Sequence, residues 1–277
     1  MEIIERGAAG SARVAVVGGL HGDEPAGERI VRRLADLLPD PDETAGEGIV
    51  RLIIANEPAL EAGVRYTDTD LNRAFPGDTD SDEYERALAP EIVAAVDDMD
   101  AVFAIHTSHS VPPPFAIYSE LTDSVRRTVT AMPVDYVLDA GGLRSTTLDS
   151  VAPHSVSVEV GRQGSQQAVE FGLESTLAFL RAHGALDDEP PTFTPATVVE
   201  GIEEVPKGGG EPHVNYANFQ EIPDGAVFAS DAEYTHRVDE PGIVPVLASE
   251  HGYEEIFGLY GRITGTLEPP SGEVASE

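Results

Sequence analysis

The clearest hydrophobic pattern lies between residues 13 and 38. Val14 to Val17 are an unbroken apolar run within Arg13 to Leu20, which predicts a first strand, buried and parallel. Two glycines interrupt its end, and Pro25, suited to the first turn of a helix, opens the next element. Ala26, Ile30, Val31, Leu34, Leu37 and Leu38 then recur at helical spacing, so Pro25 to Leu38 is expected as an amphipathic helix on the sheet.

The alternation continues down the chain. Ile49 to Ala55 predicts a strand, and Tyr84 to Met99 a helix with Leu88, Ile92, Val93 and Val96 inward. Ala101 to Ile105 and Phe115 to Ser119 read as strands, with a short helix at Asp123 to Ala131. Ser155 to Gly161 alternates polar and apolar as a strand, and Ser165 to His183 is a long helix with Phe171, Leu173, Leu177 and Leu180 apolar. Strands interleaved with helices indicate an α/β fold with a mixed, largely parallel sheet flanked by helices.

The pattern changes after the linker Asp187-Asp-Glu-Pro-Pro191. Short strands follow at Ala196 to Val199, Gly225 to Ala229, Ile243 to Ala248 and Phe257 to Gly265, with Gly208 to Gly210 as a flexible loop. The expected division is a first domain over residues 1–188, a small β-rich C-terminal domain over 192–268, and a disordered tail over 269–277. No internal repeat is visible.

One stretch has no period of either kind. Gly63 to Gly77 is dense in side chains that hydrogen-bond in fixed directions, among them Arg65, Asp70, Asn72 and Arg73. Long ordered loops of that character are usually functional, and two arginines with an asparagine suit anion recognition.

Composition narrows the function. The formal charge is −33, from 50 acidic and 17 basic residues, and Lys207 is the only lysine. The acids are spread along the chain, as in proteins of salt-loving organisms with molar salt inside the cell. Such a surface opposes nucleic acid and anionic membranes, since nothing neutralises phosphates. With 0 cysteines there is no disulfide framework and no thiolate metal site. No apolar run approaches the roughly 18 residues of a membrane helix, and the first residues lack a signal-peptide layout. A soluble, cytoplasmic protein is expected.

The candidate chemistry gathers at strand ends. His21 and Glu24 follow the first strand, at the carboxyl edge where open α/β sheets keep their ligands. An imidazole and a carboxylate there are two of the three protein ligands of a His₂Glu zinc site. A helix-capping glutamate beside a solvated histidine is the plainer alternative, so a third ligand is required. His106 or His109 could supply it; His106 is favoured as the residue at a strand end. Glu159, at the end of another strand, is a candidate general base.

Assembled, these residues resemble the succinylglutamate desuccinylase/aspartoacylase family of zinc hydrolases. The resemblance rests on Gly-Gly-x-His21-Gly-x-Glu24, Arg65-Tyr-x-Asp-x-Asp70-Leu-Asn72-Arg73-x-Phe, His106-Thr and Val-Glu159-Val-Gly. It implies a carboxypeptidase-like catalytic domain and one Zn²⁺ held by His21, Glu24 and His106. By the same resemblance Glu159 shuttles the proton, Arg65 stabilises the oxyanion, and Asn72 and Arg73 clamp a substrate carboxylate. Tyr253, in Glu250-His-Gly-Tyr253-Glu, corresponds to a tyrosine that closes the site. The implied substrate is a small, anionic N-acyl amino acid, cleaved at its amide bond; a homo-oligomer is left open. A metallocarboxypeptidase acting on peptides and a non-catalytic zinc-containing ligand-binding protein are the alternatives.

Two departures stand out. Ala104 occupies a position where the family usually has an aspartate, two residues before the second histidine. Aspartoacylases also carry a tyrosine and an arginine ahead of the glutamate strand. Here Arg144 is the only counterpart, in another register, so aspartate specificity is not implied.

Overall fold

The structure is a computed structural model that describes residues 1–44, 46–110, 112–141, 143–152 and 154–271. The chain begins with β1 (Glu2–Gly7), β2 (Arg13–Gly18), α1 (Pro25–Leu37), β3 (Ile49–Ile54) and α2 (Glu57–Ala62). Then come α3 (Tyr84–Val96), β4 (Ala101–Ser108), β5 (Phe115–Tyr118), α4 (Asp123–Ala131) and β6 (Tyr136–Asp139). The helix α5 (Leu148–Val151), β7 (Ser155–Arg162) and α6 (Gln166–Ala182) complete the first part. The remainder is β8 (Ala196–Pro206), β9 (His213–Val214), β10 (Val227–Ser230), β11 (Thr235–Arg237), β12 (Ile243–Val246) and β13 (Ile256–Leu267).

Ten strands make one mixed sheet in the order β1-β3-β2-β4-β7-β5-β6-β8-β13-β12. The centre, β3-β2-β4-β7, is parallel. Alternation along β2 sorts its side chains onto two faces. Val14 and Val16 join a core built with Ile30 and Leu34 of α1, Val129 of α4 and Phe179 of α6. Ala15 and Val17 join the opposite core with Leu88 and Ile92 of α3 and Leu148 of α5. Helices on both faces leave the carboxyl ends of β2, β4 and β7 free to carry chemistry.

Several elements depart from the sequence expectation. β1 is an edge strand antiparallel to β3, and α2, α5 and β6 are short elements the pattern did not disclose. The helix expected to reach Met99 stops at Val96, while the strand expected to stop at Ile105 runs on to Ser108, so His106 lies inside it. Beyond residue 191, β8 pairs in parallel with β6 and antiparallel with β13, so the main sheet continues into the C-terminal part. A separate three-stranded sheet, β11-β10-β9, sits beside it. Of the expected tail, residues 272–277 lie outside the described residues. No helix among the described residues is long and apolar enough to cross a membrane.

Candidate active site

The turn after β2 is shaped by glycine. Gly19 adopts φ 69°, and a Cβ on Gly22 would fall 2.0 Å from the Ala59 carbonyl carbon. A side chain at Gly22 would drive α2 away, so the tight turn that presents His21 needs both residues. Glu24 occupies the cap position of α1, yet its side chain makes no capping bond. It turns inward instead. His21 Nδ1 lies 2.8 Å from one carboxylate oxygen and His106 Nδ1 lies 3.4 Å from the other. The Thr107 backbone N–H donates to that second oxygen at 2.7 Å.

His21, Glu24 and His106 thus converge, with ligand atoms all within 4.8 Å of one another. Both imidazoles direct Nδ1 at Glu24. On its far side, His21 Nε2 meets Asp70 at 3.1 Å. The corresponding Nε2 of His106 is buried without a hydrogen-bond partner among the described residues. That fits Ala104, which is buried and offers nothing to hold it. Asp149 of α5 accepts from Ser155 Oγ at 2.6 Å and is close enough to feel the His106 charge. His109 is placed otherwise: its side chain is half exposed and faces Asp23 at 3.7 Å.

Burial opposes charge here, and the partners decide the outcome. Burial would raise Glu24, but His21 and then His106 hold its carboxyl well below the usual range. Asp70 is held low against its own burial by the contact with His21 and the charge of Arg65. For Glu159 the pull of the His106 and Arg65 charges does not offset its burial. It sits in register with His106 on the neighbouring strand, and one of its oxygens is buried without a partner. Burial first, and the Glu24 charge second, push it up to about 7.

The 63–77 loop closes one side of the site. Its anchor is Glu85, in the first turn of α3, a residue that no sequence pattern singles out. One oxygen accepts from Thr67 N at 2.6 Å, the Thr67 hydroxyl at 2.8 Å and Asn56 Nδ2 at 3.1 Å. The other accepts from Asp68 N at 3.0 Å and Thr69 N at 3.1 Å. Arg65 is held through Nε by Asp70 at 3.0 Å and reaches Glu24 at 3.4 Å. Asn72 Oδ1 accepts from Leu148 N at 3.0 Å, and Arg73 donates to the Asn72 carbonyl at 2.6 Å, so both are partly engaged within the protein.

Two further residues arrive from elsewhere. Tyr253 lines the same cavity; burial and the Glu159 charge raise its phenol above the usual range. Lys207, the lone lysine, donates to the carbonyls of Glu250 at 2.8 Å and Tyr253 at 2.6 Å, fixing that segment over the site. Arg144 also lines the cavity, ion-paired with Glu204. The cavity has a volume of about 130 Å³.

The family model for the succinylglutamate desuccinylase/aspartoacylase catalytic domain matches residues 11–182. An aspartoacylase from Xenopus tropicalis is 30% identical over 173 residues, covering 54% of this chain and 54% of that protein. The chain therefore spans about half the length of this curated relative. A succinylglutamate desuccinylase/aspartoacylase structure from Rhodobacter sphaeroides superposes with TM-score 0.73 at 20% identity, covering 94% of this chain and 87% of the other. Murine aminoacylase 3 gives 0.72 at 18% identity, covering 94% and 98%. At such identities the structural likeness speaks to the fold, and that fold is a mixed sheet with flanking helices and a β-rich C-terminal part.

Proposed function

The chain belongs to the succinylglutamate desuccinylase/aspartoacylase family, and on that premise we propose that it is a zinc-dependent hydrolase of the amide bond in small N-acyl amino acids. The observation that carries the reading is Glu159: a buried carboxyl with a free oxygen, pushed up to about 7, beside a His-Glu-His cluster. A structural ion pair would have satisfied that oxygen. A proton shuttle needs it open and needs a pKa near neutrality.

The donor set suits zinc, because two neutral imidazoles and one carboxylate form the usual catalytic triad of ligands. Asp70, 3.1 Å from the outer nitrogen of His21, supports this as an acceptor for a proton on that nitrogen, the tautomer that leaves Nδ1 free to bind, although Arg65 Nη2 lies beside the same nitrogen at 3.0 Å. His21, Glu24 and His106 would hold zinc, which would supply Lewis acidity and lower the pKa of a water toward neutrality.

This chain's residues do the rest. Glu159 takes the proton of the attacking water on its free oxygen and hands it to the leaving amine nitrogen. Arg65, locked by Asp70, offers its guanidinium to the developing oxyanion. Arg73 binds the substrate carboxylate through two parallel hydrogen bonds, with Asn72 setting its position against Leu148. Tyr253 excludes water from the side facing the C-terminal part. A carboxypeptidase would need a groove running past the site, whereas Tyr253, Leu247 and Leu259 wall this cavity and favour a small substrate.

The test is direct. Zinc-loaded protein in molar salt should release free amino acid from N-acyl amino acids, and metal-stripped protein should not. Cleavage of peptides with no action on N-acyl amino acids would support the carboxypeptidase reading instead.

A further inference from the structure

Tyr253 reaches the cavity on a segment with no helix or strand of its own. Residues 247–255 join β12 to β13 as a compact loop whose ends lie together. Ser249 N–H donates to the Phe257 carbonyl at 2.8 Å, and a Cβ on Gly258 would fall 2.7 Å from Ala248 Cα. The body of the loop is held from outside, by Lys207. This residue follows β8, a strand fixed between β6 and β13. Its backbone N–H donates to the Glu255 carbonyl at 2.8 Å, and its ammonium donates to the carbonyls of Glu250 at 2.8 Å and Tyr253 at 2.6 Å. We propose that Lys207 is a positioning residue for hydrolysis, which seats the Tyr253 side chain in the cavity by holding the loop that carries it. The assignment rests on the hydrolase reading above and deepens it.

Three observations carry it. One residue, rooted in the main sheet, gives three hydrogen bonds to one loop, and its ammonium also lies 5.4 Å over the Phe257 ring. The residue type is exceptional as well, because arginine stands at every other lysine-or-arginine position of the chain. An ammonium gathers three donors on one atom, so two converging carbonyls can share it over a ring, whereas a guanidinium spreads its donors across a planar fork. Finally, the loop's remaining ties bypass Tyr253. Glu250 accepts from Val214 N at 3.1 Å, and Ser249 Oγ accepts from Gly252 N at 2.8 Å. The Lys207 contact is the one that fixes the residue facing Glu159.

The chain contains 0 cysteines, which makes a chemical test possible. Lys207→Cys carries the sole thiol. Alkylation with bromoethylamine rebuilds an ammonium at that position, and iodoacetamide leaves a neutral amide there. Turnover of an N-acyl amino acid at matched zinc content should fall roughly tenfold or more in Lys207→Cys, the scale of a displaced group in an active site. It should return with the aminoethyl group and stay low with the amide, with thermal melts checking that the fold survives. In a Tyr253→Ala background the same substitution should cost less than about twofold, because its route to the reaction is gone.

Fluorine NMR of fluorotyrosine-labelled protein reads the seat itself, independently of turnover. Among 8 tyrosines, the Tyr253 signal is the one lost in Tyr253→Phe. In Lys207→Met, whose stem still covers Phe257, that signal should move toward the solvent-exposed position. An unmoved signal, or equal losses of turnover in the two backgrounds, would overturn the assignment. The two claims separate cleanly. A Tyr253 signal that moves in a protein whose wild type hydrolyses no N-acyl amino acid would sink the hydrolase reading and leave Lys207 as the residue that seats Tyr253. Hydrolysis that survives unchanged in Lys207→Met would do the reverse.

Discussion

His21 and His106 present the same atom to Glu24 but are not equally supported. His21 is gripped on its outer nitrogen by Asp70, whereas the outer nitrogen of His106 has no hydrogen-bond partner among the described residues. Loss of either should abolish metal binding, because two remaining ligands do not make a stable zinc site. Metal analysis of His21→Ala and His106→Ala is expected to show severe zinc loss, with His109→Ala retaining its zinc. A full zinc complement in His106→Ala would contradict the ligand set. The convergence of His21, Glu24 and His106 was legible in the sequence because each follows or ends an apolar strand, and parallel strands deliver their ends to one edge. The supporting residues were not. Asp149 reads as one acid among 50, and only the packing of α5 against β7 brings it near His106. Lys207 is distinctive by type, but nothing in its neighbourhood reveals that it ties down the segment carrying Tyr253.

At the scale of elements, long strands and amphipathic helices could be read because period and length agreed. β1, β6, α2 and α5 could not, since four to six residues carry too little period to separate strand, helix and turn. The 63–77 loop was visible as a functional element, but its order comes from a residue outside it. Glu85→Gln keeps the shape yet replaces one acceptor oxygen with a donor facing backbone N–H groups. It should cost roughly 3 kcal/mol in stability, and catalysis should fall further than the loss of folded protein explains. Thermal melts beside turnover per folded molecule would check this; normal turnover would show that the loop is ordered by other means. The end of α6 carries a pH dependence. Burial, and then the Arg127 charge, hold His183 down to about 4, with Thr128 Oγ1 at 2.8 Å from its Nε2. The unfolded chain takes up this proton near pH 6.5 and the folded chain only near 4. Stability is therefore complete above the upper value and falls as pH drops through that window, by up to about 3 kcal/mol. Urea melts across the window should show the decline, and His183→Gln should flatten it; an unchanged slope in that variant would place the proton uptake elsewhere.

For the whole molecule the dominant fact is a charge of −33. Self-repulsion opposes the compact state, and the same field repels an anionic substrate. At about 1 M salt the screening length falls to about 3 Å, which removes both effects but leaves direct contacts. Stability should therefore rise with salt, and KM for an N-acyl amino acid should fall. Arg73→Lys separates local recognition from the global field, because an ammonium cannot make the paired hydrogen bonds of a guanidinium. KM should rise for this variant even in high salt, and much less so for a substrate whose carboxylate is replaced by an amide. Equal losses on both would make Arg73 structural. The central claim is that Glu159 moves the proton beside a metal held by His21, Glu24 and His106. Turnover of Glu159→Gln at matched zinc content, in molar salt, tests it most directly. The account predicts full zinc occupancy with activity reduced by roughly 10²-fold or more; near-normal turnover at full occupancy would contradict it.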